Sequence, residues 1–387
     1  MIVDEPRSFL VVVGTRPEAI KMMPLVRELS GRKDVDVRVC VTGQHREMLD
    51  QVLRLYDVIP DYDLDLLGRK TGLHQLSAGI LDGLEKVLEQ YRPDNVLVHG
   101  DTCTTAISTI AAFYSGIPVA HVEAGLRTGD LNSPWPEEGN RRLVGGLAKY
   151  HFAPTAQAKS NLLKEGVPSK HIWVTGNTVI DSLQWVLKFL EKNESAVEKL
   201  TQRFNFLKPD RKTMLVTAHR RESFGQGLVN ICNGIAEVVN NFPDIQMVFP
   251  VHLNPNVQEP VKKILGSLEN IHLLEPLDYL SFSFLMKASD IILTDSGGIQ
   301  EEAPTLGKPV LVMRDNTERP EALQAGVVKL VGTDPRVLVS EVAKLLNDRL
   351  HYDAMSKAKN PYGDGLASQR IADILLSGSA TEFNSKQ

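Results

Sequence analysis

Cysteine is scarce in this chain: its 387 residues hold three, Cys40, Cys103 and Cys232. An odd number, widely spaced and set in or beside apolar runs, excludes a disulfide scaffold and reads as buried thiols in a reducing compartment. Long hydrophobic runs are missing too. No stretch approaches the roughly 20 apolar residues that span a bilayer, and the opening Met1-Ile2-Val3-Asp4-Glu5-Pro6 carries acids where a secretory signal carries positive charge. A cytoplasmic protein is expected. Positive charge is not in excess: 43 Lys and Arg stand against 48 Asp and Glu, a formal net charge of -5, which argues against nucleic acid or an anionic membrane as partner. Any anion must therefore be captured locally. Several signatures are also absent. There is no G-x-G-x-x-G for a tightly held nicotinamide and no G-x-x-x-x-G-K-[ST]; the histidines lack zinc spacing, and Ser296 is not in a G-x-S-x-G elbow. Neither a cofactor nor a metal is expected. No solenoid repeat or low-complexity tract appears.

What is present is ordinary globular composition, 42% hydrophobic and 24% charged, in a chain long enough for two domains. Short β-branched runs alternate with helix-length segments, the pattern of a parallel sheet buried on both faces. Six candidate strands fall in the first half: 9–13, 37–42, 95–99, 119–122, 151–153 and 172–175. Six more follow at 213–217, 246–250, 272–274, 291–294, 310–313 and 328–331. A charged, helix-prone stretch from Asp181 to Lys212 separates the sets, which predicts an α/β chain of two doubly wound domains rather than a single (β/α)8 barrel. The turn Asn360-Pro361-Tyr362-Gly363-Asp364-Gly365 and a helix over 367–376 are expected to pack back on the first domain. From Ser377 onward a frayed tail is expected.

In open parallel sheets ligands bind beyond the carboxyl ends of the strands, and polar residues are dense there. After Ile291–Thr294 comes Asp295-Ser296-Gly297-Gly298-Ile299-Gln300-Glu301-Glu302. A strand that breaks into Ser-Gly-Gly offers backbone N–H groups and a helix dipole to a phosphate. Glu301 and Glu302, expected on the first turn, would reach sugar hydroxyls. The first strand leads into Gly14-Thr15-Arg16-Pro17-Glu18-Ala19-Ile20-Lys21, whose Arg16 and Lys21 suit a diphosphate or a reacting sugar. His99-Gly100-Asp101-Thr102, His121-Val122-Glu123 and Trp135-Pro136-Glu137-Glu138-Gly139-Asn140-Arg141-Arg142 bring three acid-bearing elements to one sheet edge. In the second half, His219 follows a strand and could act as a general acid or a diphosphate donor, and His252 follows the next.

These strings, with TGQHREML, TGNTVIDSL, TAHRRESFG and NPYGDG, resemble the non-hydrolysing UDP-N-acetylglucosamine 2-epimerase family from Gly14 to about Ile371. The resemblance implies a GT-B fold: a Rossmann-like domain over 1–178 completed by a C-terminal helix at about 364–387, a UDP-binding Rossmann-like domain over 179–363, and a cleft between them. It implies interconversion of UDP-N-acetylglucosamine and UDP-N-acetylmannosamine by a homodimer, feeding a surface polysaccharide. Lys21, Asp101, Glu123, Glu137 and His219 match its catalytic positions. Arg16, Arg141, His219, Ser296, Gly297, Gly298 and Glu302 match its UDP contacts. A second UDP-N-acetylglucosamine, bound as activator, would meet Gln44, Glu47, Arg69, Glu138, Arg220 or Arg221, and His252; Glu47 stands where some relatives carry Gln, and the wording of residues 67–72 departs from the family's.

The C2 hydrogen of such a sugar has no carbonyl beside it, so a free carbanion at neutral pH is implausible. Anti elimination of UDP to a 2-acetamidoglucal, then return of UDP with a proton on the opposite face of C2, avoids that charge. It needs an acid and a base on opposite faces and donors for the departing diphosphate. Asp101 and Glu137 are expected to handle the C2 proton. Glu123 would tune its neighbours or make the second transfer, and His219, Arg16 and the Ser296 turn would hold the diphosphate. Closure of the domains would shield the intermediate. The rival readings are an inverting GT-B glycosyltransferase, a hydrolysing epimerase, a UDP-sugar-binding regulator, and an epimerase of a modified UDP-sugar.

Overall fold

The computed structural model describes residues 6–43, 46–66 and 72–385, with the side chains of Arg46 and Glu47 outside the description. Two compact units share the chain: Met1–Gln184 with Tyr362–Gln387, and Trp185–Pro361. The chain crosses between them at Gln184–Trp185, inside the helix Thr178–Lys192 and beyond the boundary expected at 178/179. The second crossing lies at Pro361–Tyr362, beside the expected 363/364.

The first unit is built on strands β1 (Arg7–Val13), β2 (Val35–Val41), β3 (Tyr62–Asp63), β4 (Asn95–His99), β5 (Val119–Val122), β6 (Tyr150–Ala153) and β7 (Ile172–Val174). They form one parallel sheet in the order β3-β2-β1-β4-β5-β6-β7. The second unit holds β8 (Lys212–Thr217), β9 (Ile245–Pro250), β10 (Ile271–Leu274), β11 (Ile291–Thr294), β12 (Val310–Val312) and β13 (Val328–Leu330), ordered β10-β9-β8-β11-β12-β13. Two open sheets rule out the barrel. All twelve expected strands exist; β3 was missed because two residues at a sheet edge carry no readable alternation.

Burial on both faces explains the unbroken apolar runs. Phe9 to Val13 in β1 and Met214 to Val216 in β8 are almost wholly shielded from solvent. On one face of the first sheet Leu10, Val12, Val96 and Val98 pack with Ile80 and Leu84. In the second, Met214, Val216 and Leu293 pack with Ile231 and Ile235. In each unit the order reverses beside the first strand: β1 pairs with β2 and β4, β8 with β9 and β11. At such a switch point the loops diverge and leave a crevice.

The closing helix spans Ala367–Ser377 and lies against the Arg16–Ser30 helix, where Arg32 Nη2 sits 2.8 Å from Asp373. Its first N–H groups are capped from outside, since Asp181 accepts from Ala367 and Ser368 at 3.3 and 2.7 Å. The expected fraying beyond Ser377 is not found. Phe383 is buried and its N–H donates to Val174 O at 2.7 Å, while Lys159 Nζ lies 2.7 Å from Glu382. The tail thus covers the carboxyl end of β7, and one aromatic residue outweighs the polar composition that suggested disorder. Cys40 and Cys232 are buried and Cys103 is half-buried; all three are free thiols.

Candidate active site

In the first unit β1 ends at Gly14, where a Cβ would lie 2.1 Å from Thr104 Oγ1 and 2.5 Å from Thr42 Oγ1; only glycine fits. Thr15 then caps the Arg16–Ser30 helix in a reciprocal box with Glu18. Glu18 does more than cap. Its Oε2 accepts from the N–H groups of Gly14 and Thr15 at 2.9 and 2.7 Å, and its Oε1 accepts from the hydroxyls of Thr102 and Thr105. One buried carboxylate therefore staples the end of β1 to the turn after β4. Lys21, one turn further along the same helix, is carried over the sheet edge.

The chain after β5 delivers Glu123 with φ of 64°, a left-handed backbone that costs a non-glycine residue about 1–3 kcal/mol and that a functional site can retain. Lys21 Nζ donates to its Oε2, Asn177 Nδ2 donates to the same oxygen at 2.7 Å, and His99 Nε2 stands 3.7 Å away. Burial works to raise the Glu123 pKa, but Lys21 and His99 overrule it and hold the carboxyl well below the usual range. The group is an ionised carboxylate. Beneath it His121 is pushed down to about 3 by burial; it is neutral and donates through Nε2 to Gly100 O at 2.7 Å, supporting the turn that carries Asp101.

Asp101 is ion-paired with Arg141, Nη2 lying 2.6 Å from Oδ2, and Asn140 Nδ2 donates to its carbonyl at 2.8 Å. Both partners come from the Glu137–Leu147 helix, so the helix that presents Glu137 is fastened to the turn that presents Asp101. Glu137 differs from the other acids: its Oε2 is buried with no hydrogen-bond partner. The three acids thus occur in three states: Glu123 paired with lysine, Asp101 paired with arginine, and Glu137 with one buried oxygen unpartnered.

In the second unit Asp295, wholly buried after β11, plays the part Glu18 plays in the first. Its Oδ2 accepts from the N–H groups of His219 and Arg220 at 2.6 and 2.8 Å, and its Oδ1 lies 3.1 Å from His219 Nδ1. Burial would raise its pKa, yet these hydrogen bonds lower it. With Nδ1 against Asp295, Nε2 is the ring nitrogen directed away from the carboxylate. Ser296 precedes the helix Gly297–Glu302, so Gly297 and Gly298 present the first N–H groups. Glu301 and Glu302 fall a turn later than expected and are engaged: Arg319 Nε donates to Glu301 at 2.9 Å and Tyr279 donates to Glu302 at 2.6 Å. A Cβ on Gly297 would come within 2.6 Å of the Arg319 guanidinium, so glycine admits that cation over the helix start.

The family model described as UDP-N-acetylglucosamine 2-epimerase matches residues 27–376. The chain is 57% identical over 366 residues to the UDP-N-acetylglucosamine 2-epimerase of Escherichia coli K12, covering 95% of this chain and 97% of that one. The chain belongs to the UDP-N-acetylglucosamine 2-epimerase family. A crystal structure of the Neisseria meningitidis UDP-GlcNAc 2-epimerase bound to UDP-GlcNAc superposes with a TM-score of 0.90 at 51% identity, over 95% of this chain and 99% of that one. The Methanocaldococcus jannaschii enzyme in complex with UDP-GlcNAc and UDP does so at 0.80 and 36%, with the same coverage. The two Rossmann-like units are the GT-B fold expected of this epimerase family.

Of the residues matched to the epimerase activator, Gln44 and Arg69 lie outside the described residues, as does the side chain of Glu47. Glu138 is fully buried and accepts from the N–H groups of Thr128 and Gly129 at 3.1 and 3.2 Å and from Arg141 at 3.2 Å. Its carboxylate braces a loop. His252 stacks beside His219, ring centroids 5.8 Å apart, and Arg220 Nε is buried without a partner. Arg221 is exposed on a short 3-10 turn, 221–223. Sequence reading passed over four residues of this site. Glu18 was legible as the fourth residue of a capping box; His99 and Asn177 lie in motifs that follow strands, but nothing local assigns them to Glu123, and Arg319 carries no local signal. Among the described residues no helix is long and apolar enough to cross a membrane, and no group of three or more His, Cys, Asp or Glu could hold a metal ion.

Proposed function

We propose that this epimerase interconverts UDP-N-acetylglucosamine and UDP-N-acetylmannosamine by eliminating and re-adding UDP. The observation that carries the mechanism is the division of labour among the acids of the first unit. Glu137, with an unpartnered buried oxygen, and Asp101, poised against Arg141, are the two groups that exchange the C2 proton. The C2–H electrons form the C1=C2 bond as the C1–O bond to the diphosphate breaks; re-addition runs in reverse, with the proton arriving on the other face. Glu123, paired with Lys21, keeps positive charge beside the leaving oxygen and tunes its neighbours.

The second unit takes the nucleotide. His219, held beside Asp295, Arg16 and the Ser296-Gly297-Gly298 N–H groups share the charge of the departing diphosphate. Glu302 is held for the ribose hydroxyls by Tyr279. The UDP-GlcNAc bound by the meningococcal relative supports this assignment. We further propose a cytoplasmic homodimer that supplies a surface polysaccharide, responds to a second UDP-N-acetylglucosamine as activator, and closes its two domains around the glucal.

Incubation with UDP-N-acetylglucosamine alone in deuterated water tests the reading. Both epimers, with deuterium at C2 and no acceptor present, are expected. Accumulating free N-acetylmannosamine would replace it with a hydrolysing epimerase, and binding without exchange would leave a UDP-sugar sensor.

A further inference from the structure

Two sequence motifs take no part in the reaction so far: Thr175-Gly176-Asn177 after β7, and the Asn360–Gly365 turn where the chain re-enters the first unit. They meet each other, and one of them meets Glu123. Building on the epimerase reading above, we propose that Asn177 is a positioning residue that orients the Glu123 carboxylate, and that the returning segment Tyr362-Gly363 holds Asn177 in place to do so.

The amide of Asn177 can point only one way. Its Oδ1 accepts from Val179 N–H at 3.1 Å, which leaves Nδ2 to donate to Glu123 Oε2 at 2.7 Å; both bonds fix the same orientation. Glu123 Oε2 therefore collects Lys21 from the Arg16–Ser30 helix, Asn177 from the end of β7 and, at 3.7 Å, His99 from the end of β4. Lys21 and His99 are the titratable groups that face it. Lysine supplies charge on a flexible stem, whereas Asn177 supplies direction from a short side chain on fixed backbone. Glu123 itself sits on a left-handed residue, so its backbone alone does not aim it for bonding.

The backbone of Asn177 is set by the returning chain. Its N–H donates to Tyr362 O at 2.7 Å, and Tyr362 is buried. Gly176, with φ of 85°, would bring a Cβ to 3.3 Å from Gly363 Cα. A Cβ on Gly363 would lie 3.1 Å from Ile180 Cγ1 and 3.5 Å from Asn177 N. The glycines on both sides let the two segments touch. The segment that reconnects the units thus reaches a catalytic carboxylate through one hydrogen-bonded residue.

The test assays Asn177→Ala, Asn177→Asp and Gly363→Ala beside the wild-type chain, reading kcat, KM and the pH dependence of kcat for C2 exchange in deuterated water. Misaimed by a fraction of an ångström, the carboxylate is expected to lose about 10- to 100-fold in kcat in both Asn177 variants, with KM within about twofold. The acidic limb of the profile is expected to move to higher pH, further for Asp than for Ala because Asp adds a like charge while Ala removes a donor. Gly363→Ala should give a smaller kcat loss in the same direction. A kcat within twofold of wild type in Asn177→Ala, or a loss confined to KM with an unmoved acidic limb, overturns the proposal. Should the Asn177 variants fail to fold, Gly363→Ala decides: an unshifted limb refutes. A wild-type chain that leaves the C2 hydrogen in place removes the epimerase reading, and this inference with it.

Discussion

The two units solve one structural problem with different residues. Each must hold the first strand of its sheet against the fourth-position neighbour while the loops beyond diverge. The first does it with Glu18, reaching from the helix after β1 to two backbone N–H groups and two threonine hydroxyls. The second does it with Asp295, reaching from the end of β11 to two backbone N–H groups and an imidazole. Because Glu18 spends its oxygens on structure, the chemistry proposed for the first unit falls to other acids, Asp101, Glu123 and Glu137. Because Asp295 includes His219 among its partners, the staple of the second unit also holds a residue proposed to act on the diphosphate. Shared topology fixes where a site lies, and loop residues decide what it does.

This contrast can be broken most sharply at the proton-transfer acids. Asp101→Asn and Glu137→Gln are each expected to lower kcat about 10²- to 10⁴-fold, read as deuterium entry at C2 by NMR; full exchange in both would return the chemistry to other residues. Next comes His219. His219→Ala should cost about 10²- to 10³-fold, and Asp295→Asn a comparable loss, because an amide no longer presents a negative charge to the ring. If Asp295→Asn leaves kcat untouched, the second staple is structural only, like the first. In stability the order reverses. Glu18→Gln, which weakens four hydrogen bonds, is expected to lower protection of first-unit amides by about 2–3 kcal/mol in hydrogen exchange. An effect smaller than that of Asp295→Asn on the second unit would contradict the comparison.

The fold was legible because burial on both sheet faces writes each strand as an apolar run, and the motif after each run marks the switch point. The GT-B assignment followed from the family resemblance that those motifs carry, which also nominated the acids proposed for the reaction. What escaped was decided by contacts distant in sequence. Asn177 reaches Glu123 across 54 residues, and Arg319 reaches Glu301 across a loop; neither has a periodicity to betray it. Phe383 was lost in a polar tail, and Glu301 and Glu302 were placed a turn early because the helix starts at Gly297 itself rather than after the two glycines.

The smallest effect is a difference in acid sensitivity. In the first unit His121 and His151, both buried, are pushed down to about 3 and about 4 by burial. The unfolded chain takes up their protons near pH 6.5 and the folded chain does not, so their stabilisation is full above that pH and is lost as pH falls toward 4 and then 3. Asp181 runs the other way. Burial raises it to about 6, so the folded state binds its proton first and gains stability as pH falls from about 6 to the ordinary aspartate range. First-unit protection should therefore drop with a slope of two protons just below pH 6.5 and one net proton from about 6 to 4, each proton being about 1.4 kcal/mol per pH unit. His121→Gln should remove one proton from that slope, and Asp181→Asn should steepen it between pH 6 and 4. In the second unit burial also lowers His252 and His272, so that unit too loses stability below about pH 6.5, while Glu318, held at about 2 with burial overruled by Arg314, adds a loss only below about 4.5. Hydrogen exchange resolved by unit and followed from pH 7 to 4 reads these slopes; a first-unit slope unchanged in His121→Gln would show that this buried histidine does not set the first unit's acid response.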